Sequence, residues 1–343
     1  MIMSEIKNGV EQEKFYWWSS GLSVAEILEL FQYRILTPRT QYRNNFHFEI
    51  SPGQLQILSE PSDFNIGFIG DLMPINGKNF VLSPELSDHL KSLDLLVVNF
   101  EGVITDSKRF LAQVHHPEIL EKLRTIYQGP ILLNVANNHS GDFGENAFYK
   151  HLEYLNRNNF PIFGYRENPF FELNNIRFYS ASLWSNQEFN VINRFTYQMN
   201  EEINRNISKN YFNIFLPHWG YEMQRYPIKK HQDFAYNLLN TWDMIIGNHT
   251  HCPQPAELIP FENEQKLIAF SLGNFCYDIF NSNQWHGAFL IAGMSLKHVK
   301  PKLVSCSYYY THQEIPKKEI RIKLCSELNY AKRRLEMLNY LKF

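Results

Sequence analysis

Five short polar clusters of the sequence, each directly after an apolar run, hold side chains that bind metals or transfer protons. The metal-binding side chains among them are Asp71, Glu101, Asn138, His218, His249 and His251. Mixed oxygen and nitrogen ligands suit Mn²⁺, Fe²⁺ or Zn²⁺ better than Ca²⁺, which prefers oxygen throughout. Two such ions about 3.5–4 Å apart activate water and stabilise charge on a substrate. The set therefore predicts two divalent metal ions and hydrolase-type chemistry.

Single members of this set also have plainer interpretations. Asp71 alone is typical of a helix N-cap, and Glu101 before a glycine is typical of a turn. His218, beside a tryptophan, is by itself more typical of a structural histidine. The metal interpretation depends on the coincidence of five strand ends, because ligands gather at the carboxyl ends of parallel strands.

The most specific pattern is the pair His249 and His251, separated by one residue. On a strand, residues i and i+2 point to the same side, so both imidazoles could face one ion. The alternative is two exposed loop histidines. Cys252 follows directly; we expect a small buried packing residue there, with ligation as the minor alternative.

The apolar runs that must position these clusters alternate with helical patterns, which predicts an α/β fold with largely parallel central strands. The predicted strands are 64–70, 95–99, 131–135, 177–183, 211–216, 244–246, 267–271, 288–294 and 302–310. The predicted helices are 24–33, 84–92, 117–127, 145–156, 229–240 and 326–341.

The chain divides into three predicted parts. Residues 1–60 form an N-terminal helical extension, and residues 61–285 form the domain that carries the polar clusters. Residues 286–343 supply C-terminal strands and a closing helix. We expect Trp17 and Trp18 to pack the extension onto the main body, with partner binding as the alternative.

Composition excludes several classes of protein. The 343 residues contain 33 basic and 35 acidic side chains, which gives no electrostatic reason to expect nucleic-acid binding. Four cysteines without a CxxC pair indicate a reduced, cytoplasmic protein. We expect no secretory signal and no membrane span. Aromatic residues make up 15%, which leaves carbohydrate binding open as an alternative to genomic bias.

Around these residues the sequence resembles the CapA-type, poly-γ-glutamate capsule-synthesis proteins of the calcineurin-like metallophosphoesterase superfamily. The matching motifs, in family order, are Gly70-Asp71-Leu72-Met73, Asn99-Phe100-Glu101-Gly102, Ala136-Asn137-Asn138-His139-Ser140 with Asp142 and Gly144, His218-Trp219-Gly220 with Glu222, Gly247-Asn248-His249-Thr250-His251, and Ser271-Leu272-Gly273-Asn274-Phe275. The resemblance implies a four-layered αββα sandwich of the metallophosphoesterase type.

The resemblance also implies a division of the ligands. Asp71 would bind the first metal and Glu101 would occupy the bridging position. Asn138 and His218 would bind the second metal. The remaining pair would divide, with His249 on the second ion and His251 on the first. The first motif lacks the histidine found in the broader superfamily, because it ends in Leu72-Met73.

Residues around the ligands receive supporting roles from the same resemblance. His139 would be free of metal and would protonate the leaving group as a general acid. Glu222 would orient His218, and Asn274 would shape the pocket floor, with a polar turn as the alternative for Asn274. The remaining second-shell or substrate-contacting positions are Asn99, Asn137 and Asn248, the last standing where relatives often have histidine.

The expected activity is that of a metal-dependent hydrolase or transferase. Its substrate would be a phosphoester or a γ-glutamyl polymer or cell-envelope polysaccharide intermediate. The alternative is a non-catalytic assembly factor that binds envelope-biosynthesis proteins. His115 and His116 precede a predicted helix, so a cap or surface role is expected for them rather than substrate contact.

Overall fold

The structure is a computed structural model that describes residues 24–32, 46, 49–109, 112–262 and 264–330. Trp17, Trp18 and residues 331–341 of the predicted C-terminal helix lie outside these ranges. The helices are α1 (Val24–Phe31), α2 (Pro84–Lys91), α3 (Ile119–Ile126), α4 (Gly144–Arg157), α5 (Tyr197–Asn206) and α6 (Lys229–Leu238). A short 3-10 helix spans Ser282–Gln284.

The strands follow the helices in an alternating order through the middle of the chain. They are β1 (Gly53–Gln56), β2 (Phe64–Leu72), β3 (Asn79–Leu82), β4 (Leu95–Phe100), β5 (Val103–Ile104), β6 (Val114–His115), β7 (Ile131–Asn134), β8 (Ile162–Phe163), β9 (Phe170–Leu173), β10 (Ile176–Ser182), β11 (Phe212–His218), β12 (Met244–Ile246), β13 (Ala256–Phe261), β14 (Glu264–Ala269), β15 (Asn274–Cys276), β16 (His286–Ser295), β17 (Lys302–Glu314) and β18 (Glu319–Cys325).

Within the described ranges, these strands form two large sheets and one small pair, β5 with β6. The larger sheet has the order β3-β18-β17-β16-β2-β4-β7-β8, with β1 beside β17 and β15 beside β2. The smaller sheet has the order β13-β14-β12-β11-β10-β9. Strands β2, β4 and β7 are parallel, as are β10, β11, β12 and β14, so each set ends at one edge of its sheet.

Alternating side chains on the strands divide the core into layers. On β4, Leu95 and Val97 join the core between the two sheets, together with Ile214 of β11. The alternate residues Leu96 and Val98 face a second core that also contains residues of α2, α3 and α4.

A third core lies on the other face of the smaller sheet. There Phe215 of β11 and Ile245 of β12 pack with Ala235 and Leu238 of α6. The order helices, sheet, sheet, helices is the predicted four-layered αββα sandwich. Both central strand groups are apolar on two faces because both of their faces are covered.

Most predicted elements occur within a few residues of their predicted bounds. The helix predicted over 117–127 starts later, at Ile119, because residues 116–118 form the turn that leads into it. Residues 326–330, the start of the predicted C-terminal helix, are not helical. Strand β16 pairs with β2 over Phe289–Met294, so the C-terminal strands belong to the same sheet as the first polar cluster.

Helix α1 is attached to the body through its acidic residues. Glu26 pairs with Arg194, and Glu29 lies 3.0 Å from the Lys230 ammonium group. On the apolar side of the helix, Phe31 is 53% exposed. Across the described residues, no helix combines the length and apolar character needed to cross a bilayer.

Candidate metal centre

The six side chains predicted as ligands lie together where the two sets of parallel strands end. In the larger sheet, Asp71 is the second-last residue of β2, Glu101 follows β4, and Asn138 lies in the turn after β7. In the smaller sheet, His218 is the last residue of β11, and His249 and His251 follow β12. All six are buried, none more than 5% exposed. One sheet therefore supplies the two carboxylates and the amide, and the other supplies the three imidazoles.

Five of these side chains form two overlapping groups of donor atoms. Asp71, Glu101 and His251 form one group. Glu101, His218 and His249 form the other, and within each group the donor atoms lie within 4.8 Å of one another. Glu101 belongs to both groups, which is the geometry of a carboxylate shared between two ions.

Glu101 is the least satisfied polar group of the centre. Both of its carboxylate oxygens are buried and lack a hydrogen-bond partner among the described residues. Its Oε1 lies 3.8, 3.9 and 4.0 Å from the Nε2 atoms of His251, His139 and His218. These separations are too long for hydrogen bonds, but those to His251 and His218 fit two ligand atoms that each lie about 2.1 Å from one ion. The donors present therefore fit divalent metal ions.

Asn138 adds an oxygen to the second group. Its Oδ1 lies 2.8 Å from His218 Nε2, and His249 Nδ1 lies 3.0 Å from the same nitrogen. Burial, followed by the neighbouring imidazoles, lowers the pKa of His218 well below its usual range. His218 is consequently neutral at physiological pH, which is the form that binds a metal.

His251 has the opposite electrostatic environment. Burial opposes its charged form, but the carboxylates of Glu101 and Asp71 outweigh burial and raise the pKa of His251 to about 10. Burial and the nearby charge of Asp71 raise the pKa of Glu101. The negative field that holds a proton on His251 would also favour a divalent cation at the same place, so protons and a metal would compete for His251.

A ladder of amides crosses the larger sheet and orients Asp71. Asn134, Asn99 and Asp71 are register partners on β7, β4 and β2. Asn134 Nδ2 donates to Asn99 Oδ1 at 3.0 Å, and Asn99 Nδ2 donates to Asp71 Oδ1 at 2.7 Å. Asn99 Nδ2 also lies 3.5 Å from His218 Nδ1. Asn99 thus contacts one residue of each donor group.

The two histidines after β12 are not on a strand, so the argument from strand periodicity does not apply to them. His249 has φ of 95° and His251 has φ of 55°, which is left-handed backbone that non-glycine residues rarely adopt. The turn sends the two imidazoles into different donor groups instead of to one ion. His249 also donates its backbone N–H to Asp71 Oδ2 at 3.2 Å, which joins the two sheets.

His139 lies beside the donor groups and is held by a carboxylate. Its Nδ1 donates to Asp142 Oδ2 at 2.5 Å, while its Nε2 points towards Glu101. Asn137 supports this turn, because its Nδ2 donates to the Phe100 carbonyl at 2.8 Å and its Oδ1 accepts from the His139 backbone at 3.1 Å. Asn137 therefore fixes the turn to β4, and its contacts are with the chain itself.

The other three supporting positions have distinct surroundings. Asn274 Oδ1 lies 3.0 Å from His251 Nδ1, and Asn274 Nδ2 donates to the Gln284 carbonyl at 3.0 Å. Asn274 therefore contacts and orients the His251 imidazole, which a plain turn residue would not do. Asn248 has a buried Oδ1 with no partner among the described residues. The charge of Glu222 raises the pKa of both Glu101 and His251. Glu222 therefore acts electrostatically on the donor group that contains these two residues.

His115 was expected at a cap or at the surface, and this prediction is wrong. Its side chain is buried, and its Nε2 donates to the Glu101 carbonyl at 2.8 Å. Pairing of β5 with β6 carries His115 beneath Glu101, which no local pattern around residue 115 indicates. The neighbouring His116 is exposed, as expected. Burial raises the pKa of Cys252 to about 12, so it is a packed thiol.

No sequence pattern points to Asn186, which lies in the loop between β10 and α5. Its side chain contacts Asn138, His139 and Asp142. Asp142 was visible in the sequence only as part of a motif, without a role. Asn186 belongs to none of the motifs, and only the packing of the two sheets brings it to the centre.

The chain is thus a four-layered α/β sandwich with two groups of possible metal donors at the ends of its strands. The sequence model of the family described as "Bacterial capsule synthesis protein PGA_cap" matches residues 66–279, more than half of the chain. The chain belongs to this family, and the resemblance seen in the motifs is confirmed. No curated protein matches the chain.

Solved structures with a similar chain path include two phosphoester-related proteins. A structure described as a novel phosphatase from Mycoplasma pneumoniae is 14% identical, with a TM-score of 0.42, over 77% of this chain and 95% of that one. The calcineurin-like phosphoesterase YfkN from Bacillus subtilis is 12% identical, with a TM-score of 0.46, over 76% and 94%. Vps29 from Chaetomium thermophilum is 10% identical, with a TM-score of 0.31, over 78% and 97%.

Proposed function

We propose that this protein is a metal-dependent hydrolase or transferase that acts on a phosphoester, or on a polyglutamate or cell-envelope polysaccharide intermediate. Asp71 and His251 would hold one divalent ion, and Asn138, His218 and His249 would hold the other. Glu101 would be shared between them. Mn²⁺, Fe²⁺ and Zn²⁺ suit this donor set best.

One observation carries the proposal: the two unpartnered oxygens of Glu101 lie at the centre of two overlapping donor groups. A buried carboxylate without partners is costly, because it has lost water and gained no hydrogen bond. A cation between the carboxylates and the imidazoles would remove that cost. A purely structural core has no need for such an arrangement.

Divalent ions held there would activate a water molecule and offset the negative charge that develops on the substrate. The chain itself supplies the proton for the leaving group. His139 is 8% exposed, and its Nδ1 is fixed by Asp142, so its Nε2 faces the space beside Glu101. A general acid in this position contributes roughly 10²–10⁴ to the rate.

The proposal is tested by metal analysis together with hydrolysis of p-nitrophenyl phosphate and bis-p-nitrophenyl phosphate in the presence of Mn²⁺. His249→Ala should lose both metal and activity, because it removes a donor. His139→Ala should keep the metal and lose about 100-fold or more in kcat on phenyl phosphate, whose leaving group needs protonation more than p-nitrophenolate does. The exposed His116→Ala is the matched control and should resemble wild type.

Two outcomes oppose the proposal. Purified wild-type protein without metal, and without affinity for Mn²⁺, would contradict the metal centre itself. Bound metal without turnover on a broad panel of esters and γ-glutamyl amides would instead favour an assembly role with envelope-biosynthesis proteins.

A further inference from the structure

Asn186 occupies a position between the candidate ligand Asn138 and the candidate acid His139. Its backbone N–H donates to the Asn138 carbonyl at 2.9 Å, which fixes the loop after β10 against the turn after β7. Its side-chain oxygen and nitrogen then reach in different directions. The oxygen contacts Asn138, and the nitrogen contacts Asp142 and lies 3.0 Å from His139 Nδ1.

The oxygen of Asn186 determines how the Asn138 amide is turned. Asn138 Nδ2 donates to Asn186 Oδ1 at 3.3 Å, which leaves Asn138 Oδ1 on the opposite side, 2.8 Å from His218 Nε2. Only the amide oxygen has lone pairs for a metal, since the amide nitrogen is a donor. A flipped Asn138 would present hydrogens to the site and would not bind an ion.

The nitrogen of Asn186 acts on the other half of the site. It donates to Asp142 Oδ1 at 3.2 Å, while Asp142 Oδ2 accepts from His139 Nδ1 at 2.5 Å. Both oxygens of the carboxylate are thus engaged, so the carboxylate cannot rotate without breaking a hydrogen bond. The imidazole plane is fixed in turn, with Nε2 aimed beside Glu101.

We propose that Asn186 is a positioning residue that sets the amide orientation of Asn138 and the ring orientation of His139 at the same time. This inference rests on the proposed function, because it assigns Asn186 a part in metal binding and in proton transfer. Residues of this kind that hold a ligand or its neighbours typically affect metal affinity or activity by about 10–100-fold.

Two substitutions at this position separate the two contacts. Asn186→Leu keeps the branch at Cγ, with a somewhat larger side chain, and removes both. Asn186→Asp keeps an oxygen that accepts from Asn138 but has no hydrogen for Asp142. Asn190→Leu, at an exposed position of the same loop, is the matched control. The measurements are Mn²⁺ affinity by titration calorimetry and the kcat ratio between p-nitrophenyl and phenyl esters.

The ester ratio reports on proton donation to the leaving group. Phenolate is a stronger base than p-nitrophenolate, so the phenyl ester needs the acid more. Both Asn186 variants should raise the ratio by about tenfold, because a misplaced His139 slows the phenyl ester most. Asn186→Leu should also weaken Mn²⁺ binding by about tenfold, whereas Asn186→Asp should bind Mn²⁺ as wild type does.

The outcomes distinguish this inference from the proposed function. If wild type binds Mn²⁺ and Asn186→Leu matches Asn190→Leu in both affinity and ester ratio, the inference is wrong and the function stands. A wild type that binds no Mn²⁺ refutes both. If Asn186→Leu does not fold, Asn186→Asp decides: a wild-type ester ratio overturns the role in placing His139, and a raised ratio with intact Mn²⁺ binding supports it.

Discussion

At the residue scale, Glu101 combines full burial with an absence of hydrogen-bond partners in the described part of the chain. Leaving a buried polar group unpaired costs about 1–3 kcal/mol, and more for a charge. A folded protein retains such a group when another interaction, such as cation binding, offsets this free-energy cost. Under the proposed function, Glu101 would lower folding stability in the absence of metal and contribute to cation binding.

Glu101→Gln tests this trade directly, because glutamine has nearly the same shape and no charge. With EDTA present, the variant should be at least as stable as wild type, since it removes a buried carboxylate that lacks hydrogen bonds and loses in exchange only the attraction of that charge to protonated His251. With Mn²⁺ present, the order should reverse, because only wild type gains binding free energy. Thermal unfolding in the two buffers measures both differences.

Glu121→Gln, on the exposed surface of α3, is the control and should behave as wild type in both buffers. If Glu101→Gln keeps the same rank in EDTA and in Mn²⁺, Glu101 does not bind a cation.

The side chains that could bind metal were predictable from the sequence. The residues that only support them through contacts between distant segments were not. Asp71, Glu101 and the histidines follow apolar runs, and topology brings the ends of such runs together. Asn186 and His115 reach the centre only through contacts between distant segments. Asn186 is 48 positions from its partner Asn138, and nothing in the intervening sequence fixes that distance in space.

At the element scale, Gly247 lets β12 end beside the segment that follows β14. A Cβ on Gly247 would lie 1.9 Å from the Phe270 carbonyl oxygen and 2.4 Å from Trp219 Nε1. Both atoms are engaged with each other, since Trp219 Nε1 donates to that carbonyl at 2.8 Å. The strand end that leads to His249 is therefore closely packed on both sides.

Gly247→Ala should accordingly be more disruptive than its added volume suggests. We expect a loss of about 2–3 kcal/mol, because a methyl group must displace backbone rather than a flexible side chain. Mn²⁺ affinity should fall as well, since His249 is two residues further along. Urea unfolding and calorimetry measure the two effects.

Gly141→Ala provides the comparison for stability, because its new methyl would meet the Gln187 side chain at 3.4 Å, an ordinary contact. Equal unfolding free energies for Gly247→Ala and Gly141→Ala would contradict the close approach at β12.

The strands were predictable as elements because their apolar runs are bounded by polar or turn residues. Their distribution between two sheets was not, since β4 and β11 are both apolar on two faces and look alike in the sequence. The partner of a strand depends on distant segments, as the pairing of β16 with β2 illustrates. Fold class was therefore within reach of the sequence, and strand order was not.

At the scale of the whole molecule, two histidines that lie away from the donor groups make stability depend on pH. Burial lowers the pKa of His231 to about 4 and, with a contribution from His115, lowers the pKa of His151 to about 3. In the unfolded chain both titrate near about 6.5. Below that pH the unfolded state binds protons that the native state does not bind. The contribution of these histidines to the free energy of unfolding is therefore complete above pH 6.5 and decreases as the pH falls.

Each of these histidines should contribute about 1.4 kcal/mol of lost stability per pH unit between its folded and unfolded pKa values. Urea unfolding at pH 7, 6 and 5 measures the slope. His231→Gln should reduce it by about that amount, because glutamine has no proton to gain. His116→Gln, at an exposed position, should leave the slope unchanged; identical slopes for all three proteins would mean that His231 titrates normally when folded.

The division of the ligands between the sheets has a mechanical consequence. An ion held by Glu101 and His218 would be a cross-link between two layers that otherwise pack through apolar contacts and a few hydrogen bonds, such as that from the His249 backbone to Asp71, and it would span more than a hundred residues of chain. Removing it should let amide hydrogens in the loops after β4 and β12 exchange with solvent long before the sandwich itself unfolds. The metal would then hold these two loops together, and hydrogen exchange would detect their local and reversible opening when the metal is removed.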